Sequence, residues 1–464
     1  MFEANVYIER RKKLRESISS GILLIPANTE SPMNYPGNCF HFRQDSSFLY
    51  YFGLDTSDLF GCIDIESGEE ILFADELTIE DIVWMGYQPT FADQAQEVGI
   101  RKVLSVDKLQ DYLHKAVSQG RAVLYLPPYQ GQMIIRLSEL LGISPAQIGC
   151  SYSVELVKAV IAMRSIKEEH EITEIEKACK VGYEMHISAF YNCRPGKSEQ
   201  ELYGIMEGIA YQQGSGTSFS TILSQNGETL HNYNHFQTLT EGRLLLVDAG
   251  AEALSHYCSD HTRTIPVSGK FTPFQTDMYN LVVAAQAKGI ELSAPEVTNQ
   301  SIHLAVCKVL AEGLKDAGIM KGNIDNAVAA GAPAMFLPCG LGHHMGLDVH
   351  DMEGLGEDYV GYNEVIKRIP LFGYNRLRMG KELKPGMVMT VEPGVYFIPS
   401  LIAKWEAEGI NKEFINFEAA RKKIGFGGIR LEDDILITPD GNRILGEKRL
   451  PTTIEEVLAA MNGK

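Results

Sequence analysis

The stretch Gly340-Leu341-Gly342-His343-His344-Met345-Gly346-Leu347-Asp348-Val349-His350-Asp351 decides how this chain is read. Three histidines and two acids fall within nine residues, from His343 to Asp351. A lone histidine is ordinarily a satisfied core or surface residue. Several imidazoles and carboxylates between glycines, which let backbone approach closely, are better explained by a site.

Four more segments of the same kind flank it. Upstream, Leu244-Leu245-Leu246-Val247-Asp248-Ala249-Gly250 runs four buried-type residues into an acid, and Ser259-Asp260-His261-Thr262-Arg263-Thr264 follows. Strand alternation places Asp260, Thr262 and Thr264 on one face. Asp248 and Asp260 are close enough in sequence to lie on the two arms of one hairpin, where facing acids repel unless a cation lies between them. Downstream, Met387-Val388-Met389-Thr390-Val391-Glu392-Pro393-Gly394 ends an apolar strand on a Glu and a rigid turn. The last segment, Gly428-Ile429-Arg430-Leu431-Glu432-Asp433-Asp434-Ile435-Leu436-Ile437, sets three consecutive acids in a strand. Such acids are costly to bury unless neutralised. Arg430 and Glu432 share a face, so part of this run reads equally well as a plain ion pair.

Four carboxylates and one imidazole make a hard, oxygen-rich ligand set, suited to Mn²⁺, Mg²⁺ or Fe²⁺ rather than to thiolate-loving metals. Their charge exceeds what one divalent ion needs. Two ions about 3.5 Å apart, bridged by carboxylates, would balance it.

The rest of the sequence bounds the reading. A chain of 464 residues is long enough for two or three domains. Its formal charge of −18 disfavours a nucleic-acid partner. No segment is apolar enough to cross a bilayer, and the charged first 20 residues lack the apolar core of a secretory signal. Eight dispersed cysteines with no C-x-x-C pair suit a reduced, cytoplasmic protein.

Residues 1–160 read as a mixed α/β domain. They offer a charged helix over 7–19, a short strand over 21–25, a hairpin from 60–65 and 71–73 turning at Ser67-Gly68, and a strand over 122–126. A long helix over 165–190, with Ser165 as its cap and Glu168 as capping-box partner, opens a second domain over 161–464.

The five motifs, in this order, resemble those of the pita-bread metallopeptidases, most closely the aminopeptidase P and prolidase branch. The stretch Phe42-Arg43-Gln44-Asp45-Ser46-Ser47-Phe48-Leu49-Tyr50-Tyr51-Phe52-Gly53 is similar to a signature of that branch's N-terminal domain. The resemblance implies an α/β (α+β) fold: an N-terminal mixed domain followed by a pita-bread catalytic domain. It implies hydrolysis of the Xaa-Pro bond, whose tertiary amide and constrained ring make it a poor substrate for ordinary peptidases. The alternatives are an Xaa-Pro dipeptidase and, more remotely, a non-catalytic peptide-binding module.

Carried over residue by residue, the resemblance makes Asp248, Asp260, His343, Glu392 and Glu432 ligands of two divalent ions. Mn²⁺ is foremost among these ions, with Co²⁺, Zn²⁺ and Fe²⁺ as alternatives. Glu392 would also shuttle a proton, His231 and His350 would flank the substrate, and Arg430 would support the carboxylates. Trp84 reads blandly as a core anchor. The resemblance instead implies a tryptophan that walls a neighbouring subunit's site, and hence a homodimer or larger assembly. Four departures stand out, one of them His344, an unusual second histidine beside His343. Asp248 and Asp260 are 12 apart, one more than is usual in the family. Cys339 stands where many members have a histidine. Residues 400–427 form an insertion like that of eukaryotic-type prolidases, which would favour the dipeptidase if it closed the far end of the cleft.

Overall fold

The structure, a computed structural model, describes residues 2–463. The chain divides between Arg164 and Ser165 into two compact units, four residues beyond the expected boundary.

The first unit is built on a five-stranded mixed sheet. Its strands are β1 (Ile22–Pro26), β2 (Phe60–Asp64), β3 (Glu70–Phe73), β4 (Lys102–Leu104) and β5 (Val123–Leu124), in the order β4-β3-β2-β1-β5. β2 and β3 form the expected hairpin, in antiparallel register from Phe60 opposite Phe73 to Ile63 opposite Glu70. Gly68 in the turn has φ +73°, a conformation that favours glycine. The apolar runs are buried because both faces of the sheet are covered. The first helix, α1 (Ala4–Glu16), starts and ends about three residues before the expected span. A short helix, α2 (Ile79–Met85), is capped by Thr78 and Asp81 and buries none of its residues. Trp84 within it is 81% exposed, so the core-anchor reading of Trp84 is wrong.

The second unit opens on α3 (Glu169–Asn192), where Ile172, Ile175, Ala178, Cys179, Gly182, Met185 and Ala189 turn inward. Its N-cap is Glu168, not Ser165, and Glu171 supplies the return bond to the Glu168 N–H. Ser165 lies too early because it directly follows another helix, Val154–Arg164. Three strands, β6 (Ile222–Ser224), β7 (Leu244–Ala249) and β8 (His261–Pro266), pair in the order β8-β7-β6. Further on, β9 (Val388–Val391), β10 (Gly394–Tyr396), β11 (Gly428–Arg430), β12 (Asp433–Thr438) and β13 (Gly441–Ile444) form a β9-β12-β13 sheet and a β10-β11 pair. A backbone bridge between Thr262 and Glu432 joins the two strand groups. The helices α4 (Pro273–Leu292) and α5 (Asn299–Asp316) share one large apolar core with these strands.

The insertion forms α6 (Pro399–Glu408) and α7 (Phe417–Arg421). Ile402, Trp405, Ile415 and Ala420 sink into the core, and Ile415 bridges to Met320 just beyond α5.

Candidate metal centre

The five metal-capable side chains expected from the sequence line one cleft of about 500 Å³, together with His231, His350 and Arg430. Their convergence follows from the strands. In the β7–β8 pair Asp248 stands opposite Thr262, and Asp260 falls two residues before it, in the diagonal position on the same face. The connection between the arms folds as a turn through His256, at φ +69°. Glu392 follows the end of β9, and Glu432 sits between β11 and β12 at the bridge to Thr262.

Ligand atoms of Asp260, His343 and Glu432 all lie within 4.8 Å of one another. His343 Nε2 is 3.4 Å from Asp260 Oδ2 and 3.7 Å from Glu392 Oε1. Its Nδ1 lies 3.0 Å from the His344 carbonyl, which favours a donating Nδ1–H and leaves Nε2 as the free lone pair. His344 is buried but does not line the cleft. Of the two adjacent imidazoles, it is therefore His343 that joins the acids.

Arg430 holds the acids from behind. Its guanidinium pairs with Asp248 and donates to the Tyr396 hydroxyl at 2.7 Å and to Thr262 Oγ1 at 3.1 Å. The ion pair expected between Arg430 and Glu432 does not form. Glu432 instead accepts from the Thr262 hydroxyl at 2.7 Å. Thr262 and Tyr396 thus orient the charged groups, and sequence reading gave them no role. For Thr262 a signal existed, since alternation put it on the face of Asp260. For Tyr396 there was none.

Among the described residues no Lys or Arg pairs with Asp260, Glu392 or Glu432, and Asp248 Oδ1 and Asp260 Oδ1 are buried with no hydrogen-bond partner. Burial first, and then the charges of Asp248, Asp434 and Glu392, push the Asp260 carboxyl well above the usual range. Burial, Asp260, Glu392 and Asp248 do the same to Glu432. Orphaned carboxylate oxygens in a cleft with other acids and an imidazole nitrogen are what a divalent cation requires and what a protein without one would have to protonate. The residues therefore fit a metal.

His350 sits edge-on to His343, with ring centroids 4.2 Å apart, and its Nδ1 faces Glu353 at 3.3 Å. His231 stacks on Tyr233. Burial lowers the basicity of both rings, helped by Arg430 at His231 and by His343 at His350. Arg378, another residue of the cleft wall, is tied to Glu353 at 2.5 Å. Cys339 lines the cleft, and burial pushes its thiol up to about 12. No residue of 400–427 lines it, so the insertion does not close its far end.

The profile of metallopeptidase family M24 matches residues 173–439, and that of the aminopeptidase P N-terminal domain matches residues 7–125. The chain is 29% identical over 466 residues to the human Xaa-Pro dipeptidase, covering 98% of this chain and 91% of that one. It is 30% identical over 421 residues to a probable Xaa-Pro aminopeptidase of Metarhizium robertsii, covering 90% and 86%. Among solved structures it is similar to an aminopeptidase of Pseudomonas aeruginosa, with TM-score 0.81, 26% identity and coverage of 100% and 98%. An Escherichia coli aminopeptidase P variant in complex with substrate gives TM-score 0.80 at 25% identity, covering 100% and 99%. With an acid-rich cleft on this fold and a family profile spanning more than half its length, the chain belongs to metallopeptidase family M24 and carries an N-terminal domain of the aminopeptidase P type.

Proposed function

We propose that this chain is an Xaa-Pro aminopeptidase, which hydrolyses the bond before proline and releases the N-terminal residue, using two divalent ions held by Asp248, Asp260, His343, Glu392 and Glu432. The observation that carries this is the cleft in which Asp260, Glu432 and Glu392 gather near His343 beside Asp248, with an oxygen of Asp248 and one of Asp260 lacking any partner. Their oxygen-rich chemistry favours Mn²⁺. Ions there supply Lewis acidity and a nucleophilic water near neutral pH.

The protein's own groups do the rest. Glu392 lies beside His343 with part of its carboxylate open to the cleft. It takes the proton of the attacking water and passes it to the proline nitrogen as the bond breaks. His231 and His350, kept neutral by burial, donate hydrogen bonds to the substrate carbonyl as negative charge develops on it. Arg430, with Thr262 and Tyr396 behind it, fixes Asp248 so that the acids need not reorganise.

All eight cysteines are free, which supports a reducing, cytoplasmic setting. The apolar strip Ile79, Val83, Trp84, Met85 and Tyr87 is exposed, which supports a homodimer or larger assembly. An insertion packed into the large core of the second unit rather than into the cleft favours peptides longer than two residues. The deciding assay compares an Xaa-Pro dipeptide with an Xaa-Pro-Yaa tripeptide, using stripped enzyme restored with Mn²⁺, Co²⁺ or Zn²⁺. Faster cleavage of the tripeptide is expected. Cleavage of the dipeptide alone would make the chain a dipeptidase, and cleavage of neither would leave it a binding module.

A further inference from the structure

The strand that carries Asp260 has a second chemistry on its other side. Asp260 and Thr262 reach the cleft, while alternation sends His261 the opposite way, against α3. A Cβ at Gly182 of that helix would stand 3.2 Å from His261 Nδ1, so glycine lets the ring approach. There His261 meets Cys179 of α3 and Asp434 of β12. Cys179 Sγ is 3.6 Å and His261 Nε2 is 3.8 Å from the same oxygen, Asp434 Oδ2. The three ligand atoms lie within 4.8 Å of one another, and all three side chains are buried.

Asp434 lacks what its neighbour has. Asp433 is neutralised by Arg263 at 2.6 Å and by Arg449 at 2.8 Å. Asp434 accepts the Asp260 N–H at 2.9 Å and faces the Cys179 thiol, but no Lys or Arg among the described residues reaches it. Its Oδ1 is buried without a hydrogen bond, and so is Nδ1 of His261. A buried carboxylate with no Lys or Arg partner, beside an imidazole and a thiol, is a group that a cation can complete.

We propose that Cys179, His261 and Asp434 form a second metal site, separate from the cleft, which takes a borderline divalent ion such as Zn²⁺. One sulfur, one nitrogen and one oxygen are a zinc-type set, unlike the carboxylate-rich cleft, so the two sites sort ions by softness. With metal–sulfur near 2.3 Å and metal–nitrogen or –oxygen near 2.1 Å, the edges of a tetrahedron are about 3.4–3.6 Å. The observed 3.6 and 3.8 Å are within reach of that by small side-chain shifts. A cavity of about 90 Å³ borders Cys179 on the side of Lys180, Tyr183, Glu184, Glu447 and Lys448. On binding, the Cys179 thiol gives its proton to solvent and a metal–sulfur bond replaces the S–H bond, with no change of oxidation state.

Cobalt reports thiolate ligation directly. Full-length protein stripped of metal and loaded with Co²⁺ is expected to show near-ultraviolet thiolate-to-cobalt absorption. Cys179→Ser should abolish that band and lower the bound metal by about one ion per chain, whereas Cys339→Ser, which alters the thiol in the cleft, should change neither. The wild-type spectrum decides first, whether or not Cys179→Ser folds. Absence of the band, its loss in Cys339→Ser, or full metal content in a folded Cys179→Ser protein each overturns the site.

Discussion

Buried charge is handled in opposite ways in the first unit and in the cleft of the second. In the first, the buried arginines are met by acceptors and aromatic faces. Arg11 reaches Glu70 at 2.7 Å, the Tyr51 carbonyl at 2.8 Å and the Val98 carbonyl at 2.9 Å. Arg10 lies 3.8 Å over the Tyr50 ring, and Arg164 donates to Ser47 Oγ at 3.0 Å. In the second unit, four acids share a cleft in which one arginine touches one of them and two oxygens meet nothing. Completed charges serve as scaffold. An uncompensated set persists only where a ligand completes it, and that difference, more than burial itself, separates structural from functional polarity.

The comparison breaks most sharply at Glu392. Glu392→Gln keeps the shape and removes the base, so turnover is expected to fall by about 10² to 10⁴ while the protein stays folded. Near-normal turnover at saturating metal would end its role as proton carrier. Removing metal tests the same face as a whole. If ions were present at 100 to 1,000 times their dissociation constant, stripping them costs about 3–4 kcal/mol of stability. An unchanged melting temperature with and without Mn²⁺ would mean that the acids are satisfied without an ion.

Arg11→Met probes the completed side. It leaves Glu70 and two carbonyls without their donor, and a loss of about 3 kcal/mol is expected, with kcat per folded molecule unchanged. A drop in kcat at constant folded fraction would contradict the division between scaffold and site. His231→Ala and His350→Ala should each slow catalysis by about 10²-fold, the scale for one hydrogen bond to a developing oxyanion, with metal content intact. Loss of a metal equivalent would move that histidine into the ligand set. The smallest effect is expected at Trp84. Because it is exposed, Trp84→Ala should change stability by less than about 0.5 kcal/mol. It should instead shift the sedimentation of the protein and its peptide selectivity. A fully active wild-type monomer at micromolar concentration would remove the basis for a shared site.

The residues of the cleft were legible because their chemistry is local. An acid ending an apolar strand and a glycine-flanked histidine run each announce themselves within ten residues. Fold class followed from the same motifs. What stayed hidden depended on partners far along the chain. Arg430 and Glu432 share a strand face, yet the arginine turns to Asp248 because Thr262, brought in by the other strand group, satisfies Glu432. Ser165 has the right chemistry for a cap, but it directly follows the helix Val154–Arg164 and the next helix starts later. Trp84 looked like core because its neighbours are apolar, and nothing local tells an apolar helix that is buried from one left bare. His261 fell at the unconstrained position of a motif and drew no notice until the face behind it was visible.

The contacts that join the two strand groups span very long stretches of chain: 182 residues between Asp248 and Arg430, and 170 between Thr262 and Glu432. Loop closure on that scale comes late, after helices and hairpins have formed from near neighbours. Refolding from denaturant should therefore return the helical signal well before enzymatic competence. During that lag the chain would hold nearly all its secondary structure and none of its catalytic geometry. The same separation means that a nascent chain can acquire its helices one by one on the ribosome, yet becomes a peptidase only when the strand bearing Arg430 and Glu432 has emerged.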